Sequence, residues 1–130
     1  MKFHFFNANI LTSGEIVSGD VVVENDLITY VGKHIDISAD RKIDVGGNLL
    51  MPGFVNAHSH SPMTLLRGVA DDMNLKEWFF DNIFLAEQKL TPKDVYWGEM
   101  LGIAEQVRAG ITSIEECYFY YDEIVNALEK

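Results

Sequence analysis

Cysteine, proline and positive charge are all scarce in this chain. Its single cysteine, Cys117, has no partner for an intrachain disulfide. A reducing compartment suits such a chain. Ten Lys and Arg face 20 Asp and Glu, a formal net charge of −10. An acidic chain repels phosphate backbones, so no nucleic-acid partner is expected. No polybasic patch is available to seek a membrane surface. No run of 18 apolar residues occurs, so no transmembrane helix is expected. The N-terminal apolar run is interrupted by His4, Asn7 and Asn9 and makes a poor signal peptide. The ten glycines form no phosphate-cradling motif, and there is no internal repeat or low-complexity segment. These absences lead to the expectation of a soluble, cytoplasmic protein.

What is present is ordinary globular composition, 48% hydrophobic and 23% charged. Length alone suggests one domain, but the pattern changes near residue 50. Residues 3–11 read as a strand with imperfect alternation, followed by a turn at Thr12-Ser13-Gly14. The valine-rich Glu15–Glu24 and the returning Leu27–Gly32 flank Asn25-Asp26, a hairpin signature. Residues 42–45 read as one more short strand, ended by Gly46-Gly47. Several short strands with turn punctuation over residues 1–50 predict a small β-sandwich or an antiparallel sheet. His4 and His34 in this region read as solvated or incidental and are assigned no metal.

The most informative stretch runs from Asn48 to Gly68. It breaks at Pro52-Gly53, resumes as Phe54-Val55-Asn56-Ala57, and delivers His58 and His60. Side chains two apart on a strand point to one side, so both imidazoles are expected to project together from a strand end. Neutral imidazole is a common ligand for zinc and similar ions. Val55 and Ala57 have the opposite parity, which predicts one apolar face and one face carrying Asn56, His58 and His60.

The segment Met51-Pro52-Gly53-Phe54-Val55-Asn56-Ala57-His58-Ser59-His60 resembles the first barrel strand of the amidohydrolase superfamily. Ser61-Pro62-Met63-Thr64-Leu65-Leu66-Arg67-Gly68, followed by Glu77-Trp78, is similar to the group that holds methylthioadenosine/S-adenosylhomocysteine deaminases and related chlorohydrolases. The resemblance runs through nearly the whole chain. It implies an α/β fold: the start of a (β/α)8 TIM-like barrel over residues 51–130, preceded by the sandwich strands. A barrel of that kind needs about 250 residues. The chain is therefore expected to be the front part of a longer protein or one piece of an assembly.

Residues 75–90 fit a helical pattern imperfectly, with a break expected near Asn82. Trp78, Phe79, Phe80 and Phe84 make this segment unusually aromatic, which suits either a packed core or the wall of an apolar pocket. Trp78 is the candidate substrate contact, because the resemblance places a Trp near the active-site mouth. Thr91-Pro92-Lys93-Asp94 signals a helix start. That helix should run to about Ala109, with Gly110 as its terminator and Val95, Met100, Ile103, Ala104 and Val107 as its buried stripe. Residues 111–117 read as a second parallel strand, completing a βαβ unit. Glu115 and Glu116 fall near its C-terminal end, and the resemblance places an acidic residue at 116. A helix is expected to begin within 122–130.

The resemblance implies a divalent metal, zinc or alternatively iron, held by His58 and His60. Such an ion lowers the pKa of a bound water towards about 7. Two more histidines, an aspartate and a proton-shuttling glutamate are implied beyond Lys130. Glu87 stands 27 positions after His60, the spacing of the family's substrate-binding glutamate, whose carboxylate accepts hydrogen bonds from ribose hydroxyls. The plainer reading of Glu87 is a solvated helix residue. The function implied is metal-dependent hydrolytic deamination of adenosine-type nucleosides, methylthioadenosine or S-adenosylhomocysteine. Within the class, the alternatives are a guanine- or cytosine-type aminohydrolase and a triazine chlorohydrolase. Outside it stands a non-catalytic fragment or assembly subunit. The expected partners are a small nucleoside or heterocycle, and a second copy or a completing C-terminal segment.

Overall fold

A computed structural model describes all 130 residues, Met1–Lys130. They form two compact units, Met1–Pro52 and Gly53–Lys130.

The first unit is a mixed five-stranded sheet. It contains β1 (Lys2–Thr12), β2 (Glu15–Glu24), β3 (Leu27–Gly32), β4 (Arg41–Asp44) and β5 (Leu49–Leu50). Their order is β3-β2-β1-β4, with β5 also paired to β1. The β2 strand runs antiparallel to both neighbours, whereas β4 and β5 lie parallel to β1. Both tight turns use left-handed backbone: Ser13 and Gly14 in one, Asn25 and Asp26 in the other. Paired positive φ values match the twist of the flanking strands.

The imperfect alternation of β1 has a structural cause. Its register against β2 shifts between Phe5 and Ala8, where Asn7 adopts φ 56°. The extra residue exchanges the two faces of the strand. Phe5 therefore joins Ala8, Ile10 and Val21 in one apolar cluster despite its opposite parity. His4, Asp20 and Val22 are also buried. His4 Nε2 lies 2.8 Å from Asp20 Oδ2, and His34 Nδ1 lies 2.9 Å from the same oxygen. The backbone amides of Ile35 and Asn7 donate to Asp20 as well. Burial alone would raise the Asp20 pKa, but these donors outweigh it and hold the carboxyl below its ordinary range. The expectation of a solvated His4 is thus corrected: its ring is buried because a buried carboxylate needs a donor.

The second unit starts with β6 (Phe54–Ser59) and a 3-10 segment, Ser61–Leu66. A π-helical run, Glu77–Ile83, continues into α1 (Phe84–Glu87). Then come α2 (Pro92–Arg108), β7 (Ile111–Glu116) and α3 (Tyr121–Leu128). The β6 and β7 strands pair in parallel, and α2 lies within the crossover between them. Thr91 and Asp94 cap α2 reciprocally, and Gly110 follows its end at φ 83°.

The buried face of α2 differs from the expected stripe. It consists of Val95, Gly98, Glu99 and Gly102, while Val107 is 64% exposed. The reason is close packing against the 3-10 segment. A Cβ on Gly98 would lie 2.6 Å from Pro62 O, and one on Gly102 would lie 2.6 Å from Ser61 Cβ. Two glycines and a glutamate make up most of this face, so apolar periodicity could not reveal it. The poor helical pattern around Asn82 reflects π-winding, and the Asn82 side-chain amide donates to Glu77 O.

Candidate functional site

The Asn56–Ser61 segment alternates in burial because its serines turn inward and its histidines turn out. Ser59 and Ser61 are buried, and their hydroxyls lie 2.8 Å apart. Gln106 Nε2, from α2, donates to Ser61 Oγ at 2.9 Å. On the other side, Ser61 N donates to Glu116 Oε2 at 2.9 Å, and Cys117 N donates to Ser59 O at 2.9 Å. Thr64 Oγ1 also donates to Gly98 O. Every small polar residue flanking the histidines is thus tied to α2 or β7, and both imidazoles are left exposed.

The imidazoles converge. His58 Nε2 and His60 Nε2 are 3.1 Å apart, with ring centroids 4.9 Å apart and planes inclined by 52°. Two imidazole nitrogens, each about 2.1 Å from one tetrahedral ion, are roughly 3.4 Å apart. The observed separation and the two converging ring nitrogens therefore fit a divalent cation. No group of three or more His, Cys, Asp or Glu side chains gathers here. Two nitrogens alone fall short of the roughly four ligands such an ion takes.

Asn56 departs from the parity expectation. Its amide donates to Gln106 Oε1 on α2 at 2.9 Å, so it faces the helix. Val55, on the face expected to be apolar, is 70% exposed. The β6–β7 register shifts twice, between Phe54 and Val55 and between Asn56 and Ser59. Strict alternation does not carry through such irregularities.

A cavity of about 430 Å³ opens beside His60 and is lined also by Met63, Trp78, Phe79, Glu87 and Tyr118. It brings together three of the four residues singled out from the sequence: His60, Trp78 and Glu87. His58 does not line it; that ring borders a second cavity with Asn56, Ser61 and Gln106. The first cavity is mostly walled by apolar and aromatic groups, and Glu87 is the carboxylate among them. Glu87 is half-buried, which sets aside its reading as a fully solvated helix residue. Tyr118 Oη donates to Glu87 Oε1 at 2.9 Å. Desolvation first, then the bond to Glu87, pushes the Tyr118 pKa up, so its hydroxyl stays a donor at neutral pH. Phe80 and Phe84 do not line this cavity and are exposed.

Two features escaped the sequence reading. Tyr118 carries no motif of its own, since its role depends on a partner 31 residues away. Glu99 is fully buried, and neither carboxylate oxygen has a hydrogen-bond partner. Desolvation, aided by the nearby Glu116 charge, raises its pKa to about 7. A carboxylate between two glycine-lined turns of an amphipathic helix reads as a surface residue in any periodic pattern.

Comparison with known proteins agrees with this geometry. The family model of the amidohydrolase family matches residues 49–130. A 5-methylthioadenosine/S-adenosylhomocysteine deaminase of Thermococcus sibiricus is 42% identical over 116 residues, 89% of this chain and 27% of its own length. A 5'-deoxyadenosine deaminase of Methanosarcina mazei is 46% identical over 127 residues, 95% of this chain and 29% of its own. The crystal structure of an adenosine deaminase from Xanthomonas campestris with bound zinc superposes with a TM-score of 0.89 at 33% identity. That superposition covers 98% of this chain and 31% of the other. The chain thus spans under a third of the length of each of these relatives. With the family model matched across the whole second unit and both imidazoles of its His-x-His converging, this chain belongs to the amidohydrolase family.

Proposed function

We propose that the chain is the N-terminal part of a metal-dependent amidohydrolase that hydrolytically deaminates adenosine-type nucleosides. The observation that carries the reading is the cavity shared by His60, Trp78 and Glu87. It sets an imidazole of the candidate metal pair beside an aromatic wall and a carboxylate. The relatives at 42 and 46% identity are both named for adenosine-type nucleosides, which favours that class over guanine, cytosine or triazine rings. The parallel β6–β7 pair with its helical crossover supports reading residues 51–130 as the first two βα units of a TIM-like barrel. The mixed sheet of the first unit supports reading it as part of a small sandwich. The free, exposed Cys117 suits a reducing cytoplasm.

His58 and His60 would hold one divalent cation, zinc in our reading, with the other donors supplied by a further part of the polypeptide or a partner. When bound, such an ion supplies Lewis-acid chemistry that makes water nucleophilic near neutral pH. The chain's own residues do the positioning. Ser59, Ser61, Gln106 and Glu116 fix the backbone that carries the two rings. Trp78 and Phe79 offer aromatic surface to a purine and exclude water around it. Glu87 accepts hydrogen bonds from the sugar hydroxyls.

The test uses the full-length protein that carries this chain, loaded with zinc and given adenosine, 5'-deoxyadenosine or methylthioadenosine. Ammonia release with formation of the corresponding inosine-type product is expected. His58→Ala should lower kcat by at least about 100-fold while the fold is retained. Unchanged turnover in His58→Ala would remove the histidine pair from the mechanism.

A further inference from the structure

Glu87 is held in an unusual way for a carboxylate facing an apolar cavity. No cation pairs with it, and its one hydrogen-bond partner is Tyr118, through Oε1. A carboxylate offers about four acceptor positions. One is taken by a neutral hydroxyl, so the charge is not cancelled and Oε2 is left without a protein donor. Tyr118 is itself fixed from two sides. Its ring stacks on Phe119 with centroids 4.1 Å apart and meets the His60 ring edge-on at 6.1 Å. The hydroxyl therefore reaches Glu87 from a ring whose orientation is set by packing, and the packing includes a histidine of the candidate metal pair.

We propose that Tyr118 is a positioning residue for substrate recognition: its hydroxyl locks the Glu87 carboxylate through Oε1 so that the acceptor positions left on its two oxygens receive the vicinal hydroxyls of the substrate's sugar. The inference rests on the reading of Glu87 as the sugar contact and adds the group that orients it. A carboxylate free to rotate about its terminal bond would present either oxygen to solvent, and ordering it on binding costs side-chain entropy. Pinning Oε1 before the substrate arrives removes part of that cost. It also defines the ligand chemistry: two adjacent hydroxyl donors, one for Oε2 and one for the remaining lone pair of Oε1. A sugar lacking the pair gains nothing from the arrangement.

The experiment measures KM and kcat separately in the zinc-loaded full-length protein. Two substrates are compared: adenosine, which carries the 2',3'-diol, and 2',3'-dideoxyadenosine, which does not. Tyr118→Phe keeps the ring and its packing and deletes only the donor. It should raise KM for adenosine roughly 10-fold, change kcat by less than about 2-fold, and leave KM for the dideoxy compound in place. An equal rise in KM for both compounds, or no rise for adenosine, overturns the proposal. Glu87→Gln separates the two levels. If it raises KM for adenosine while Tyr118→Phe does not, Glu87 is the sugar contact and Tyr118 does not position it. If Glu87→Gln leaves KM for adenosine unchanged, the underlying reading of Glu87 fails and this inference falls with it. A retained kcat for Tyr118→Phe on the dideoxy compound shows that the variant folds.

Discussion

The two units each bury a carboxylate, and they treat it in opposite ways. Asp20 in the first unit is 1% exposed and is met by two imidazoles and two backbone amides. Glu99 in the second is 0% exposed and meets no donor. One carboxyl is held below its ordinary pKa, and the other is pushed up to about 7. The first unit answers its buried carboxylate with donors, and within that cluster His4 Nδ1 alone is left without a partner. The second leaves chemistry unfinished: two converging imidazoles, a half-engaged Glu87 and a buried acid without a partner.

The largest expected effect is on the satisfied side. Asp20→Ala strands the buried His4 ring and two amides, and should cost about 3 kcal/mol, read as a lower denaturation midpoint of the first unit. A change near zero would mean that the Asp20 cluster is not what organises that sheet.

The pH dependence sharpens the contrast, and its sign differs between the units. For Glu99, the folded state keeps a proton that the unfolded chain loses above the ordinary carboxyl value of 4.5. The second unit should therefore gain stability as pH falls from about 7 towards 4.5, by something on the order of 1–3 kcal/mol. For Asp20 the folded pKa lies below 3.8, so its contribution is full above that value and is lost as pH falls through the folded pKa. Amide hydrogen exchange, corrected for intrinsic rates, should show protection rising between pH 7 and 5 around Val95–Gly102 and level in β1 and β2. Glu99→Gln should flatten the first trend. Equal slopes in both units would break the comparison.

Gly98→Ala has an expected sign opposite to helix propensity. Alanine should favour the helix by about 1 kcal/mol, yet the added Cβ would meet Pro62 backbone at 2.6 Å. A net loss of roughly 1–2 kcal/mol is expected by thermal melting, and a gain would show that α2 and the 3-10 segment part easily. The smallest effect is Thr91→Ala, which removes half of the capping box of α2 and should cost about 1 kcal/mol or less by the same measurement.

How legible these features were follows from where their physics resides. The β2–β3 hairpin was legible because Asn25 and Asp26 are residues that tolerate positive φ, and the turn is a local property. The start of α2 was legible for the same reason, through Thr91, Pro92 and Asp94. The bulge at Asn7 was visible only as spoiled alternation, and the π-winding near Asn82 only as a poor helical pattern. His4, Glu99 and the glycine face of α2 were misread or missed because their surroundings come from segments distant in sequence. In the site, the His58–His60 convergence was readable from spacing, and the shared cavity of Trp78 and Glu87 followed the resemblance. Tyr118 was not readable, since a tyrosine after a strand gives no sign of what its hydroxyl will meet.

The proposed chemistry depends on His58 and His60 gripping one divalent cation. X-ray absorption at the zinc edge of the zinc-loaded full-length protein addresses it without reference to turnover. A first shell at about 2.0–2.1 Å with the outer-shell scattering of imidazole is expected, reduced stepwise in His58→Ala and in His58→Ala/His60→Ala. A spectrum unchanged by both substitutions would place the metal elsewhere and remove both histidines from its coordination.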